Sequence, residues 1–376
     1  MPFDTDRFER AAAVIAPAVA QAERDGRHGA EAVAALAATG VFKTLVPEAY
    51  GGGGGHLVPY VTGIERAARI DGSAGWLAMI GATSGLVAAY LPDEVAREAF
   101  EAPDALACGV FAPTGRAVRE GDAVRVRGRW SWASGCEHAR WRMVGVVLHD
   151  GAKPVTNAAG APETRCVLLR ADEARVVPNW DVPGLRATGS HDLAVDDVAV
   201  PAARCFSLLG PARDPSPAYR VSAFGTLAAG VAAVALGVAT AAVERFVALA
   251  REKTPSGARR TLAHRELVQH AVAVADARVR AARLYLHDAA RSAGADDSLD
   301  ARAALRLAAC HVTRESVAAV DLVCNAAGAG AARTGEPLER MFRDVHMAAQ
   351  HAMVADAVAV LAGRVRLGLE TDASML

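Results

Sequence analysis

The chain of 376 residues lacks an excess of either charge, since 41 Lys and Arg side chains face 42 Asp and Glu side chains. Nucleic acids and anionic membranes attract clustered basic surfaces, so we expect no nucleic-acid partner. The six cysteines lie far apart without a Cys-x-x-Cys pair, which argues against a zinc site or a disulfide framework and favours a reducing, cytoplasmic location. The first ten residues lack the apolar core of a secretory signal, and no metal site is expected.

Charge is absent altogether from residues 221–243, a run long enough to cross a bilayer. The run consists mostly of Ala, Gly and Val, which are weakly apolar, and it continues into an amphipathic stretch at 244–251. A helix that is apolar on all sides can lie at the centre of a bundle. We therefore expect a buried helix and no contact with a membrane.

The chain is long enough for two or three packed units. Apolar residues recur every three or four positions in residues 1–107, which predicts an N-terminal helical domain. Residues 108–209 alternate with a period of two, which predicts strands in a small antiparallel barrel or sandwich. Residues 210–376 are again helical, with breaks that predict four or five helices in a C-terminal bundle.

The most glycine-rich run, residues 51–55, has no preceding strand and no following lysine. It therefore fits neither a dinucleotide fingerprint nor a P-loop. We expect a flexible connector with an exposed His56. No NAD(P)H fingerprint is visible elsewhere in the chain.

Residues 128–141 contain three of the five tryptophans. Trp132 and Ser134 are two residues apart, so on a strand they would share one face. The result would be a flat apolar wall beside a hydroxyl and a backbone donor at Gly135, an arrangement that suits an isoalloxazine ring. The alternative is an ordinary barrel core.

Trp132, Ser134 and Gly135, followed by His138-Ala-Arg-Trp141, resemble the flavin-facing strand of the acyl-CoA dehydrogenase-fold monooxygenases. This group includes the oxygenase components of p-hydroxyphenylacetate and hydroxysteroid hydroxylases, and dibenzothiophene monooxygenase. Further stretches agree in the order of that family: Tyr50-Gly-Gly, Ile70–Trp76, Gly184–Ser190 and Pro337–His346.

The resemblance implies a mainly α protein with a helical N-terminal domain, a middle β-barrel and a C-terminal four-helix bundle. FMN or FAD would lie between barrel and bundle, partly covered by a neighbouring subunit of a homotetramer. Gly328 and Gly330 resemble the segment that approaches the flavin of the adjacent subunit, and Arg251 is assigned to flavin binding with them. A helix-terminating turn is the alternative for the glycines.

An acyl-CoA dehydrogenase needs a carboxylate that removes a proton from the substrate. The family position for this glutamate, after Arg343 and Asp344, is Ala352 here, beside His351. The alternative position for this carboxylate, at the start of the central bundle helix, also lacks one, because residues 215–243 contain no Asp or Glu. On one helix, His351 would share a face with Asp344.

The resemblance therefore implies a flavin-dependent monooxygenase that takes reduced FMN or FAD from a separate reductase. With O2 it would oxygenate a small hydrophobic or aromatic substrate through a C4a-hydroperoxyflavin. His351 and Ser134 would act as catalytic hydrogen-bond donors and also contact the flavin, and Thr188 and Ser190 would border the substrate pocket. Ser84 is a further substrate contact, because residues 73–103 lack the histidine of related phenol hydroxylases.

Two other functions stay open. One is an acyl-CoA dehydrogenase-like enzyme with a relocated base, and the other is a non-catalytic flavin-fold binding protein. A purely structural role for His351 is also open.

Overall fold

The computed structural model describes residues 5–158, 160–373 and 376. Its first unit is helical, as predicted, with α1 (Thr5–Asp25), α2 (Ala30–Ala38), α3 (Leu57–Ile70), α4 (Gly72–Gly85) and α5 (Asp93–Phe100). Helix α1 buries one face because Phe8, Ile15 and Val19 recur at helical spacing. Helix α4 is buried on almost every side, since it lies between α3, the C-terminal helices and the sheet.

The described residues in the middle of the chain form eight strands. They are β1 (Ala107–Glu120), β2 (Ala123–Ala133), β3 (Trp141–Asp150), β4 (Lys153–Pro154), β5 (Thr164–Arg170), β6 (Arg175–Val177), β7 (His191–Pro201) and β8 (Cys205–Phe206). The predicted alternation is confirmed in β2, where Val124 and Val126 are buried and Arg127 is exposed.

The middle unit of strands is confirmed, but among the described residues the predicted antiparallel barrel or sandwich is instead one mixed sheet that does not close. The strand order is β6-β7-β2-β1-β3-β5-β8, with β4 beside β3, and the described residues of the two end strands do not pair with each other. The end strands β6 and β8 have only three and two residues, too few to continue a staggered register into a closed ring. In addition, β1 and β3 run parallel, so the sheet is mixed.

The C-terminal unit contains α6 (Ala223–Glu252), α7 (Glu266–Ala295), α8 (Leu299–Ala327), α9 (Pro337–Ala348) and α10 (Asp356–Arg366). Helices α6 to α9 pack together, and α10 rests against α8. Among the described residues, two helical segments are long and apolar enough to span a membrane, Gly72–Tyr90 and Ala223–Glu252, and 94% of each apolar window is buried inside the protein. The predicted buried central helix, α6, is thus confirmed.

Glycines allow α6 to approach the first unit closely. A Cβ atom on Gly230 would lie 2.1 Å from the Tyr60 hydroxyl, and one on Gly237 would lie 2.4 Å from the Glu65 carbonyl oxygen. These contacts fix α3 against α6 and place α4 where the helical units meet the sheet.

The glycine run at 51–55 is a packed turn, and the predicted flexible connector is wrong. Gly53 N donates to Lys43 O at 2.8 Å, and Gly54 N donates to Val46 O at 3.0 Å. A Cβ on Gly52 would lie 1.9 Å from the Val46 carbonyl oxygen, so close backbone packing requires glycine here. His56 is exposed, as expected.

Candidate functional site

Ser134 lies at the centre of a chain of buried hydrogen bonds. Trp76 Nε1 donates to Ser134 Oγ at 2.9 Å, and Ser134 Oγ is 2.7 Å from Ser190 Oγ. Ser190 Oγ is in turn 2.7 Å from Thr188 Oγ1, which donates to Leu185 O at 2.8 Å. The structure thus brings together three residues that were predicted for the site, Ser134, Thr188 and Ser190.

Trp76 is the site residue that the sequence reasoning did not single out. It belongs to α4, whose start is fixed by Asp71 Oδ2 accepting a hydrogen bond from Ala74 N at 3.1 Å. The available signal was a single large side chain in a run of glycine, alanine and serine. Its buried indole N–H needs a partner, and the Ser134 hydroxyl supplies one.

Trp132 and Ser134 do not share a face, so this prediction is wrong. Strand β2 ends at Ala133, its register with β7 shifts between Trp130 and Ala133, and Trp132 has a φ of 70°. This irregularity turns the Trp132 side chain outward, where it is 74% exposed, whereas Ser134 is buried. Gly135 N, the predicted backbone donor, already donates to Thr188 O at 2.8 Å and is therefore not free to bind a flavin.

The exposed indole of Trp132 nevertheless offers a flat apolar surface. A left-handed backbone is unusual for a large side chain and costs about 1–3 kcal/mol. Strained conformations of this kind cluster at active sites, ligand-binding sites and switch regions.

His351 and Asp344 do not lie on one helix, which corrects a second prediction. Helix α9 ends at Ala348, and His351 has extended backbone angles before a short turn at Ala352–Val354. No glycine or proline marks the end of α9 in the sequence, so the pattern of residues suggested a longer helix.

The surroundings of His351 fix its protonation state. Burial and the positive charge of Arg306 lower the pKa of His351 to about 4, so the ring is neutral at neutral pH. Its Nδ1 accepts a hydrogen bond from Met353 N at 3.2 Å, which leaves the proton on Nε2. The ring packs edge-on against Trp76 with 5.6 Å between centroids. His351 is therefore a neutral hydrogen-bond donor beside the Ser134 chain.

Asp344 positions the loop that carries two of the site hydroxyls. Its Oδ1 accepts from Leu185 N at 2.6 Å, three residues before Thr188. Burial and the nearby Asp71 raise the pKa of Asp344 to about 8. Asp71 is itself 3.1 Å from His28 Nε2 and 3.5 Å from Arg340 Nε. These carboxylates join the three units of the chain.

The remaining predicted residues lie elsewhere. Ser84 is buried in α4, about two turns beyond Trp76. Arg251 is exposed in the last turn of α6, and Gly328 (φ 67°) ends α8 as its C-cap, as the alternative of a helix-terminating turn predicted. Gly330 lies against Lys253, whose Nζ donates to Ala327 O at 3.0 Å.

Arg251, Gly328 and Gly330 are far from His351 within one chain. Phe224, in the first turn of α6, is linked to His351 through Arg306 and Met353. Arg251 follows Phe224 by 27 positions of the same helix, a separation of about 40 Å at the rise of an α-helix. In the part of the chain that the structure describes, no cluster of three or more His, Cys, Asp or Glu side chains could hold a metal ion.

Comparison with known proteins agrees with this architecture. Residues 7–99 match the family model "Acyl-CoA dehydrogenase, N-terminal domain", and residues 229–356 match "Acyl-CoA dehydrogenase, C-terminal domain".

Curated relatives are oxygenases. Indole-3-acetate monooxygenase of Acinetobacter baumannii is 32% identical over 88% of this chain and 85% of its own length. The oxygenase component of the FADH2-dependent resorcinol hydroxylase of a Rhizobium species is 29% identical over 93% of this chain and 90% of its own length.

A solved structure extends the likeness to a flavin complex. XiaF from a Streptomyces species, solved with FADH2 and glycerol, is 25% identical and covers 97% of this chain and 95% of its own, with a TM-score of 0.87. The resemblance inferred from the residues is thereby confirmed. The chain belongs to the acyl-CoA dehydrogenase superfamily and, within it, to the flavin-dependent monooxygenases.

Proposed function

We propose that this protein is the oxygenase component of a two-component monooxygenase in the cytoplasm. It takes reduced FMN or FAD from a separate reductase and uses O2 to oxygenate a small aromatic substrate. The names of the relatives support this proposal, since they act on indole-3-acetate and resorcinol and one is described as an oxygenase component. The bound flavin supplies the activation of O2 and the transfer of one oxygen atom.

The residues at the end of β2 fit a flavin ring. Trp132 would hold the ring against its exposed indole face, and its left-handed backbone keeps that face turned away from the core. Ser134 and Gly135, in the following turn, would border the ring without donating to it, since their polar groups are already bonded within the chain. Thr188 and Ser190 hold Ser134 in place and border the pocket, and Ser84 lies farther along α4 as a substrate contact.

The observation that carries the proposal is the state of His351. Its Nε2–H is a neutral donor held beside Trp76 in a half-buried position. A fixed donor of this kind stabilises negative charge that develops on oxygen without itself giving up a proton at neutral pH. Ser134, the other predicted catalytic donor, accepts from Trp76 and gives its one hydroxyl proton to Ser190, because Thr188 donates to Leu185 O and Ser190 must therefore donate to Thr188. Ser134 thus positions this side of the site, and His351 is the free donor.

The same site does not suit acyl-CoA dehydrogenation. Among the described residues, no carboxylate forms an ion pair or hydrogen bond with His351, and Arg306 is the charged group that lowers its pKa. Asp344 is buried, but its Oδ1 accepts from Leu185 N and its raised pKa keeps it protonated at neutral pH. An enzyme that must abstract an α-proton needs a charged base over the substrate.

A homotetramer would complete the flavin site. Because Arg251 lies about 40 Å along α6 from the His351 end of the same chain, a flavin touching both groups is contacted by two subunits. Gly328 and Gly330, beside the end of α6, would approach the flavin of the neighbouring subunit.

The proposal is tested by anaerobic mixing of the purified protein with reduced FMN or FAD and either indole-3-acetate or resorcinol, followed by 18O-labelled O2. We expect a product that contains one 18O atom. If hydrogen peroxide alone formed with both flavins and both substrates, the proposal would lose its support. Anaerobic bleaching of bound oxidised FAD by an acyl-CoA would instead favour the dehydrogenase alternative.

A further inference from the structure

Arg306 is a buried cation whose hydrogen-bonding capacity is largely unused. It lies on α8 and is completely shielded from solvent, with 0% exposure. Its Nη1 donates to Phe224 O at 2.8 Å and lies 3.2 Å from the Met353 sulfur, a weak acceptor. Its Nε and Nη2 atoms are buried and have no hydrogen-bond partner among the described residues.

Within the part of the chain that the structure describes, no acidic side chain pairs with this guanidinium. Burial lowers the pKa of Arg306 to about 10, and the one group whose charge acts against that change is the Cys310 thiol. Burial raises the pKa of Cys310 above its usual value, so this thiol is uncharged at neutral pH. An unpaired buried cation lowers the stability of a folded protein, which gives Arg306 no structural justification in the ligand-free chain.

The two unused atoms form one edge of the guanidinium. The N–H groups of Nε and Nη2 point in the same direction, so that they can donate to the two oxygens of one carboxylate. The third nitrogen, Nη1, is fixed by Phe224 O, so the free edge keeps one orientation.

Arg306 lies close to His351, whose pKa its charge lowers, and close to the wall of an open cleft. Met353, whose sulfur contacts Nη1, connects Arg306 to His351, because Met353 N donates to His351 Nδ1 at 3.2 Å. Phe224, whose carbonyl oxygen accepts from the same Nη1, lines a cleft of about 620 Å³ together with Tyr90 and Tyr219. The charged lining residues of this cleft are Arg220, Arg302 and Asp214, so its net charge favours anions.

We propose that Arg306 is the receptor for a carboxylate on the aromatic substrate, so that this enzyme selects aryl acids over neutral aromatic compounds. The inference rests on the proposed function and names its substrate class. The carboxylate would bind the Nε–Nη2 edge, while the ring of the substrate lies toward His351. In this arrangement Arg306 is a specificity-determining residue and takes no part in oxygen transfer.

The test compares acids with their amides, which have almost the same shape but no charge. Indole-3-acetate, 4-hydroxyphenylacetate and their two amides are titrated anaerobically into the purified full-length protein, with and without reduced FMN. The variants are Arg306→Met, which removes the charge at similar length, and Arg306→Lys, which keeps the charge without the paired edge. Arg314→Met, on the exposed side of α8, is the matched control.

In the wild type, at least one acid should bind more tightly than its amide. Arg306→Met should weaken acid binding by about 10- to 100-fold and amide binding by less than about threefold, because a charge-assisted pair is lost. The acid affinity of Arg306→Lys should lie between those of the wild type and Arg306→Met. Arg314→Met should bind acids and amides as the wild type does. The melting temperature of Arg306→Met should be equal to or above that of the wild type.

Equal weakening of acids and amides, or a wild type without preference for either acid, would overturn the inference. If Arg306→Met did not fold, Arg306→Lys would decide, since full acid binding by this variant would contradict a paired-edge contact. The titrations involve no turnover. An acid preference without oxygenated product would therefore sink the proposed function while supporting the role of Arg306.

Discussion

Trp76 and Ser134 are joined by a hydrogen bond of 2.9 Å between indole Nε1 and hydroxyl Oγ, 58 residues apart in the chain. The bond connects α4 of the helical unit to the turn after β2, and the same indole packs edge-on against His351. One side chain therefore sets the relative positions of both predicted catalytic donors.

Replacing Trp76 by Phe keeps an aromatic ring but removes the donor. Ser134 then loses the bond that orients its hydroxyl, so we expect the fraction of reduced flavin that yields oxygenated product to fall several-fold. Stability should fall by about 1 kcal/mol, as is usual for a lost buried hydrogen bond. Product and hydrogen peroxide are quantified together in single turnovers.

Trp130→Phe is the control for that experiment. Trp130 also donates a buried indole hydrogen bond, to Gly145 O at 2.6 Å, but it lies in the core of the sheet. It should lower stability to a similar extent without changing the product fraction. Equal product fractions in the two variants would argue against a positioning role for Trp76.

Trp132→Ala separates flavin binding from folding. The side chain is largely exposed, so its removal should leave the melting temperature nearly unchanged, whereas the affinity for reduced flavin should fall about tenfold or more. Trp132→Gly should bind flavin as poorly but fold more stably than Trp132→Ala, because glycine adopts a φ of 70° without strain. Both quantities come from anaerobic titration and thermal unfolding; unchanged flavin affinity would count against stacking.

His351 predicts a specific dependence of stability on acid. In the unfolded chain this histidine binds a proton as the pH falls through about 6.5, whereas the folded form does so only near its lowered pKa of about 4. The free energy of unfolding should therefore decrease as the pH falls from about 6.5 to about 4. The decrease over this range should be smaller in His351→Gln, which has no imidazole to protonate. Identical denaturant midpoints for both proteins across this range would show that His351 is not held neutral.

Asp344 predicts the opposite trend. Its raised pKa of about 8 means that the folded state holds a proton that the unfolded state releases near pH 4, so stability falls as the pH rises through 8. Asp344→Asn keeps an acceptor for Leu185 N and has no charge to bury. We expect the melting temperature of this variant, relative to the wild type, to be higher at pH 9 than at pH 6. An equal difference at the two pH values would contradict the raised pKa of Asp344.

The parts of the site that the sequence predicted are those with local or sequential signals. Ser134, Thr188 and Ser190 belong to motifs that occur in family order, and the structure joins their hydroxyls directly. The outward turn of Trp132 was not predictable from alternation, because a bulge in one strand depends on its pairing with β7.

Other features depend on contacts between distant segments. The sheet stays open because its end strands are short, and pairing between distant strands is invisible to local periodicity. Arg306 reads as an ordinary helical arginine, since its burial arises from Phe224 and Met353, which are 82 and 47 positions away. The early end of α9 moved His351 onto a separate turn and beside Trp76.

The central claim is that His351 serves as a neutral donor during oxygen transfer. The most direct measurement is the ratio of oxygenated product to hydrogen peroxide in single turnovers of the wild type and His351→Phe, started with equal amounts of bound reduced flavin. We expect this ratio to fall at least about tenfold in the variant while the flavin is still fully oxidised by O2. An unchanged ratio would contradict the claim.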